Sequence, residues 1–187
     1  LDPAQRSSPL YSAFVQDKIT LPGRLQLFIG SKFEHNDYTG FEYQPSARLL
    51  WTPRPGHASW AAFTRAVRTP SRTEDDVRLL NRVLPPGEYF PNSPPILVVN
   101  TGDRRLRAED LRAFELGYRL HPRPGLSFDL AGYYNQYADL RIGILVPPIR
   151  YEEPVLYLEL PLPSANDMEG ETYGFELAVD WQERRAG

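Results

Sequence analysis

Between Ala113 and Leu140 the chain alternates apolar and polar residues in two runs, parted by Pro122-Arg123-Pro124-Gly125. In the first run Phe114, Leu116, Tyr118 and Leu120 share one parity, and Ala113, Glu115, Gly117, Arg119 and His121 the other. In the second, Leu126, Phe128, Leu130, Gly132 and Tyr134 alternate with Ser127, Asp129, Ala131, Tyr133 and Asn135. A period of two is that of a β-strand, whose successive side chains point to opposite faces. The same period sets Tyr173, Phe175, Leu177, Val179 and Trp181 against Gly174, Glu176, Ala178, Asp180 and Gln182. It recurs, less evenly, over 24–34, 41–52 and 59–69. The pattern predicts an all-β chain of about seven strands, at roughly 10–19, 24–35, 41–52, 58–70, 109–121, 126–141 and 171–183. Several exceed the usual globular length of about 5–6 residues.

The connections divide into two kinds. Thr20-Leu21-Pro22-Gly23, Arg54-Pro55-Gly56-His57 and Pro122-Arg123-Pro124-Gly125 are short, each with a proline that fixes φ and a glycine that permits a positive one. Between them lie Asp37–Gly40, then about 36 residues over 73–108, then about 29 over 142–170. In an antiparallel up-and-down meander this order puts the three Pro-Gly turns on one edge of the sheet and both long loops on the other. Short turns at one end and long loops at the other are the habit of outer-membrane β-barrels. The polar parity, with Glu115, Arg119, Asp129, Asn135, Asp180 and Gln182, is too wet for a packed core and suits a hydrated lumen. The rival is a soluble antiparallel sheet with one face on a core and one in water, serving as a binding module for carbohydrate or protein.

Composition narrows the field further. No apolar run approaches the roughly 18 residues of a membrane helix, but a membrane-spanning strand needs only about 10 of alternating character. The net charge of −3 and pI near 5.7 argue against nucleic acid as a partner. There is no cysteine, hence no disulfide framework and no thiolate chemistry. The start, LDPAQRSSPL, reads as mature, trimmed or cut from a longer chain.

Two segments carry a family likeness. Residues 45–72, PSARLLWTPRPGHASWAAFTRAVRTPSR, and residues 109–140, EDLRAFELGYRLHPRPGLSFDLAGYYNQYADL, resemble consecutive mid-barrel hairpins of TonB-dependent outer-membrane receptors. Gly174 and Glu176 match that family's following strand, and FVQDKITL and FEHNDYTG fit upstream. Thr64 and Ala108 depart mildly from the family pattern. The resemblance implies a middle piece of a large transmembrane barrel in the bacterial outer membrane, with periplasmic turns, extracellular loops 73–108 and 142–170, and no plug domain. It implies a receptor that binds a nutrient complex such as a ferric siderophore and imports it with energy from an inner-membrane coupling protein. Outer-membrane lipid is then a further partner.

Candidate site residues follow from this frame. The loops hold Tyr89, Phe90, Arg104, Arg105, Arg107, Tyr151 and Tyr157, and aromatic rings with arginines suit a flat anionic ligand. Loop self-packing is the plainer alternative. Glu115, Arg119, Asp129 and Glu176 are expected to face the lumen. Glu115 and Asp129 share a face but lack any nucleophile–base arrangement, so no enzyme and no cofactor are expected. Arg65, Arg68 and Arg72 are expected to pair with acidic residues across the wall, such as Glu115 or Glu176. His35, His57 and His121 sit far apart near turns, with no metal-ligand spacing. Trp51 and Trp181 near short turns, and Tyr11 near the opposite end, fit aromatic girdles at two membrane interfaces.

Overall fold

The computed structural model describes residues 5–88 and 91–182. Its elements in chain order are β1 (Leu10–Leu21), β2 (Leu25–Asn36), β3 (Gly40–Trp51), β4 (His57–Arg68), α1 (Arg72–Asp76), β5 (Arg78–Leu84), β6 (Ile96–Thr101), β7 (Glu109–Arg123), β8 (Leu126–Gly143), β9 (Ile149–Tyr151) and β10 (Tyr157–Trp181). They form one open sheet in the order β1-β2-β3-β4-β7-β8-β10-β6-β5, with β9 beside β10. The seven long strands are the antiparallel meander that the period of two predicts.

Direct cross-strand pairs keep side chains on one face, so register carries the alternation across the sheet. One row reads Ile19, Leu27, Leu49, Ala61, Leu116, Gly132 and Phe175. The adjacent row, on the opposite face, reads Lys18, Phe28, Arg48, Ala62, Glu115, Tyr133 and Gly174. The mixed face is concave and encloses a trough lined by Gln16, Arg48, Trp60, Glu115 and Arg119. The apolar face is convex and bare: Leu116 is 67%, Leu177 64% and Phe175 79% exposed. Among the described residues the substantial contacts join strands that neighbour each other in the sheet, and no second layer covers the apolar side. A soluble two-layer protein must bury such a face; this one presents it outward.

The long loops are more ordered than their sequence suggests. Segment 73–108 holds all but the first residue of α1 and the antiparallel hairpin β5–β6, and the buried apolar residues Leu84, Ile96, Val99 and Leu106 all belong to it. Within 142–170, β10 starts at Tyr157 rather than near 171. Pro161 and Pro163 hide that start in the sequence, because proline cannot donate to a ladder and reads as a strand breaker. Over Leu158–Pro163, β10 pairs in parallel with β6, a departure from a purely antiparallel sheet. The physical reason is that β10 runs past the end of β8 at Gly143, and its exposed backbone groups need partners.

At the short-turn edge each turn is tied to the hairpin that follows. The Arg24 carbonyl accepts from the Thr52 amide at 3.1 Å, Gly56 from His121 at 2.7 Å and Gly125 from Gln182 at 2.7 Å. Arg24, Gly56 and Gly125 all have positive φ, which turns these carbonyls toward the next strand. A Cβ on Gly56 would lie 2.5 Å from the His121 carbonyl oxygen, and one on Gly125 2.5 Å from that of Gln182. Gly23, also at positive φ, has nothing within 4 Å of its Cβ position. Gly23→Ala is therefore expected to cost about 1–2 kcal/mol of conformational strain, and Gly56→Ala or Gly125→Ala about 2–4 kcal/mol once the clash is added. Urea unfolding midpoints in detergent micelles check this; three equal losses would mean that the close approach contributes nothing.

Candidate functional site

The long-loop edge is assembled from charged side chains at strand ends. Ser71, Arg72, Thr73 and Glu74 open α1 with a capping sequence, and the Ser71 amide donates to the Glu74 carboxylate at 2.7 Å. The same carboxylate meets Arg68 at 3.1 Å and Arg141 at 2.8 Å. Arg68 holds Glu109 through two bonds of 2.7 and 2.6 Å, and the Arg141 amide donates to Glu109 at 3.0 Å. Two carboxylates and two guanidiniums thus fasten α1 to the ends of β4, β7 and β8. Burial alone would push the Glu74 carboxyl up, but hydrogen bonds from Arg68 and the Ser71 amide, and the charge of Arg141, hold it at about 2.

A second clamp centres on Asn166. Its amide donates to the carbonyls of Arg107 at 3.1 Å and Asp139 at 2.6 Å, and its side-chain oxygen accepts from the Arg107 amide at 2.7 Å. The Arg107 guanidinium pairs with Asp139, which has positive φ where the β8–β10 ladder shifts register. Arg78 reaches the buried Glu159 at 2.5 Å, tying β5 to β10. Arg6, ahead of β1, lies over the Tyr38 ring and pairs with Asp75 at 2.7 Å.

The proposed ligand residues fall into separate places. Tyr89 and Phe90 lie outside the described residues. Arg104 is exposed and lines a rim hollow with Arg6, Asp37, Tyr38 and Asp75. Arg105 is turned to Asp103 at 2.7 Å, and that guanidinium lowers the Asp103 carboxyl. Tyr151 stacks on Tyr157, ring centroids 4.8 Å apart at 10°. Tyr157 adjoins the Ile96 end of β6, while Arg104 follows its Thr101 end. Six residues of strand, roughly 17 Å, therefore part the tyrosine pair from the arginines.

On the concave face Arg119 donates to Asp129 at 2.7 Å, and Arg48 stands 4.0 Å from Glu115. Glu176 pairs in register with Ala131, which lines the same trough. Trp60 lies over Gly117, where a Cβ would meet its ring, and Arg119 covers the indole at 5.9 Å. Arg65, Arg68 and Arg72 do pair with acids, but not with Glu115 or Glu176. Arg65 meets Asp110 and, at 3.9 Å, Glu42; Arg68 meets Glu109 and Glu74; Arg72 meets Asp76. The acids sit at the same strand ends as the arginines, whereas Glu115 and Glu176 lie in mid-wall. Among the described residues no histidine or acidic group is arranged to hold a metal. Reading the sequence missed Glu74, Asp139, Arg141 and Asn166. Ser71-x-x-Glu74 was their one local signature.

A family model described as "TonB dependent receptor-like, beta-barrel" matches residues 2–186. No curated protein matches the chain. Among solved structures, the siderophore receptor PirA from Acinetobacter baumannii superposes with TM-score 0.72 at 15% identity, over 95% of this chain and 27% of that one. PirA from Pseudomonas aeruginosa gives 0.67 at 20% identity, over 92% and 31%. A mutant of the ferric enterobactin receptor PfeA from Pseudomonas aeruginosa, in complex with enterobactin, gives 0.71 at 20% identity, over 91% and 24%. The chain thus spans under a third of the length of each of these structures. At these identities the likeness is one of fold.

The first clamp has a pH signature. Because the Glu74 carboxyl is lowered on folding, its stabilisation is complete above its ordinary value of 4.5 and fades as pH falls toward about 2. Hydrogen exchange of the amides of residues 71–77, corrected for its intrinsic pH dependence, is expected to show protection at pH 7 that weakens by pH 3. Glu74→Gln is expected to lose that protection at pH 7 and to flatten its pH dependence; an unchanged profile would exclude the clamp.

Proposed function

Because the chain belongs to the TonB-dependent receptor β-barrel family, we propose that it forms part of the wall of an outer-membrane receptor that takes up a ferric siderophore. The bare convex face carries this reading, since lipid is the medium that an uncovered apolar sheet face fits. The same face speaks against a soluble binding module, which would aggregate through it. On this reading residues 1–187 supply wall and loops. The Pro-Gly turns lie in the periplasm, and 73–108 and 142–170 lie outside the cell. The plug and the segment that contacts the inner-membrane coupling protein belong to other parts of the receptor.

The long-loop rim is the side from which a ligand arrives. Arg104 is its best-placed contact for an anionic ferric complex, being exposed at a hollow and free of ion pairs among the described residues. Tyr89, Phe90, Arg105 and Tyr151 are further candidate contacts; Arg105 would exchange Asp103 for the ligand, and Tyr151, across β6 from the arginines, would meet a different part of it. Glu115, Arg119, Asp129 and Glu176 line the lumen. Rigid walls carrying variable loops are a common way to place binding residues.

Expressed from its natural coding sequence in a Gram-negative host, the protein is expected in the outer-membrane fraction. It should restore growth under iron limitation on at least one ferric siderophore. Arg104→Ala is expected to weaken binding of that siderophore by about tenfold, the worth of one charge-assisted contact, with unchanged membrane abundance. A monodisperse monomer purified from the aqueous fraction without detergent would overturn the reading.

A further inference from the structure

One charged side chain lies where an outer wall should have none. Asp17 pairs with Ile29 and shares its convex face. Around it on that face are Val15 and Ile19 of its own strand and Leu27 and Ser31 of β2. It stands four residues above the strand's end at Leu21 (21 − 17). That is roughly 10 Å of height for a tilted strand. The same level is held on β8 by Leu130, 47% exposed and four residues from Leu126, and on β10 by Leu177, four from Trp181. Toward the long loops the apolar face ends in the aligned row Arg65, Arg112, Gln136 and Glu171. Between that row and the last pair of the wall, where Arg123 stands opposite Leu126, Asp17 is the one charged group on the convex face among the described residues.

Its surroundings leave it uncompensated. Asp17 accepts the Lys18 amide at 2.8 Å but makes no ion pair among the described residues. The Lys18 side chain lies on the opposite face, 5.5 Å over the Phe28 ring. A carboxylate facing lipid is costly unless a cation meets it, and β2 offers only Leu27, Ile29 and Ser31 within reach. Among the described residues β1 pairs with β2 alone, so its second edge presents backbone groups that also require partners in an apolar medium. One strand docked there would satisfy both needs.

We propose that Asp17 is one half of an ion pair within the membrane, completed by a lysine or arginine on the barrel strand that docks against the free edge of β1. The inference rests on the reading that the convex face meets lipid. A long basic side chain can lie along the wall and reach a short carboxylate on the neighbouring strand, where the low dielectric strengthens the attraction.

The test uses the protein expressed from its natural coding sequence, folded in detergent micelles, with urea unfolding as readout. Asp17→Asn keeps the volume and the acceptor for the Lys18 amide, so its effect reports the charge. Asp17→Asn and Asp17→Leu are each expected to lower the folded-to-unfolded ratio by tenfold or more, because they strand a buried cation, while Asp17→Glu stays within a few-fold of the natural protein. An unpaired carboxylate in lipid predicts the opposite sign: Asp17→Leu would raise the ratio several-fold, and that result overturns the proposal. A natural protein that is dimeric, with Asp17→Asn monomeric, would overturn it in favour of a second copy at this edge. Failure of the membrane reading itself is a separate observation, the natural protein staying in the aqueous fraction without detergent.

Discussion

A backbone N–H or C=O facing an apolar medium must have a partner, and much of this structure is arranged around that requirement. Strands of 12 to 25 residues keep ladders running from turn to rim. Where a ladder fails, something else steps in. The β3–β4 pairing stops at Ser46 and Thr64, beside Pro45, which has no amide to give. There Arg65 turns its guanidinium onto the Tyr43 carbonyl and ring, held from behind by Asp110. Where β10 outruns β8, β6 comes across from the other loop to cover the edge.

The same requirement sorts the charges. Side chains that cannot enter lipid go to the concave face or to the rim. At the rim the buried carboxylates of Glu74, Asp75, Asp110 and Glu159 each meet an arginine. Buried ion pairs contribute little net stability, yet losing one partner is expensive. Their effect here is positional. Segment 73–108 has only a small apolar core, so its place over the wall is set by where Arg68, Arg78, Arg107 and Arg141 anchor it.

The wall was legible in the sequence because a period of two and Pro-Gly turns are local signals. Phe114 through Leu120 declare their face without knowledge of any partner. The rim was not legible, because its partners are set by loops that fold back over distance. Nothing near Asn166 announces Arg107, and nothing near Glu159 announces Arg78. Pro161 and Pro163 concealed seven residues of strand, Tyr157 to Pro163, since the rule against proline in a ladder holds for hydrogen-bonded interiors and this stretch lies at the top of the wall. For the candidate site, composition marked Arg104, Arg105 and Tyr151 as suitable chemistry. It could not say that β6 holds them apart or that Asp103 occupies one of them.

The stitched turns give the short-turn edge of the wall a polarity. In every stitch the earlier turn supplies the acceptor and the later hairpin the donor: Arg24 waits for Thr52, Gly56 for His121, Gly125 for Gln182. Each closed end therefore presents one carbonyl, set by a residue at positive φ, to the amide of the hairpin that follows. Each middle hairpin thus carries an amide for its predecessor and a carbonyl for its successor, so the closed ends of the wall are joined by bonds that all point the same way.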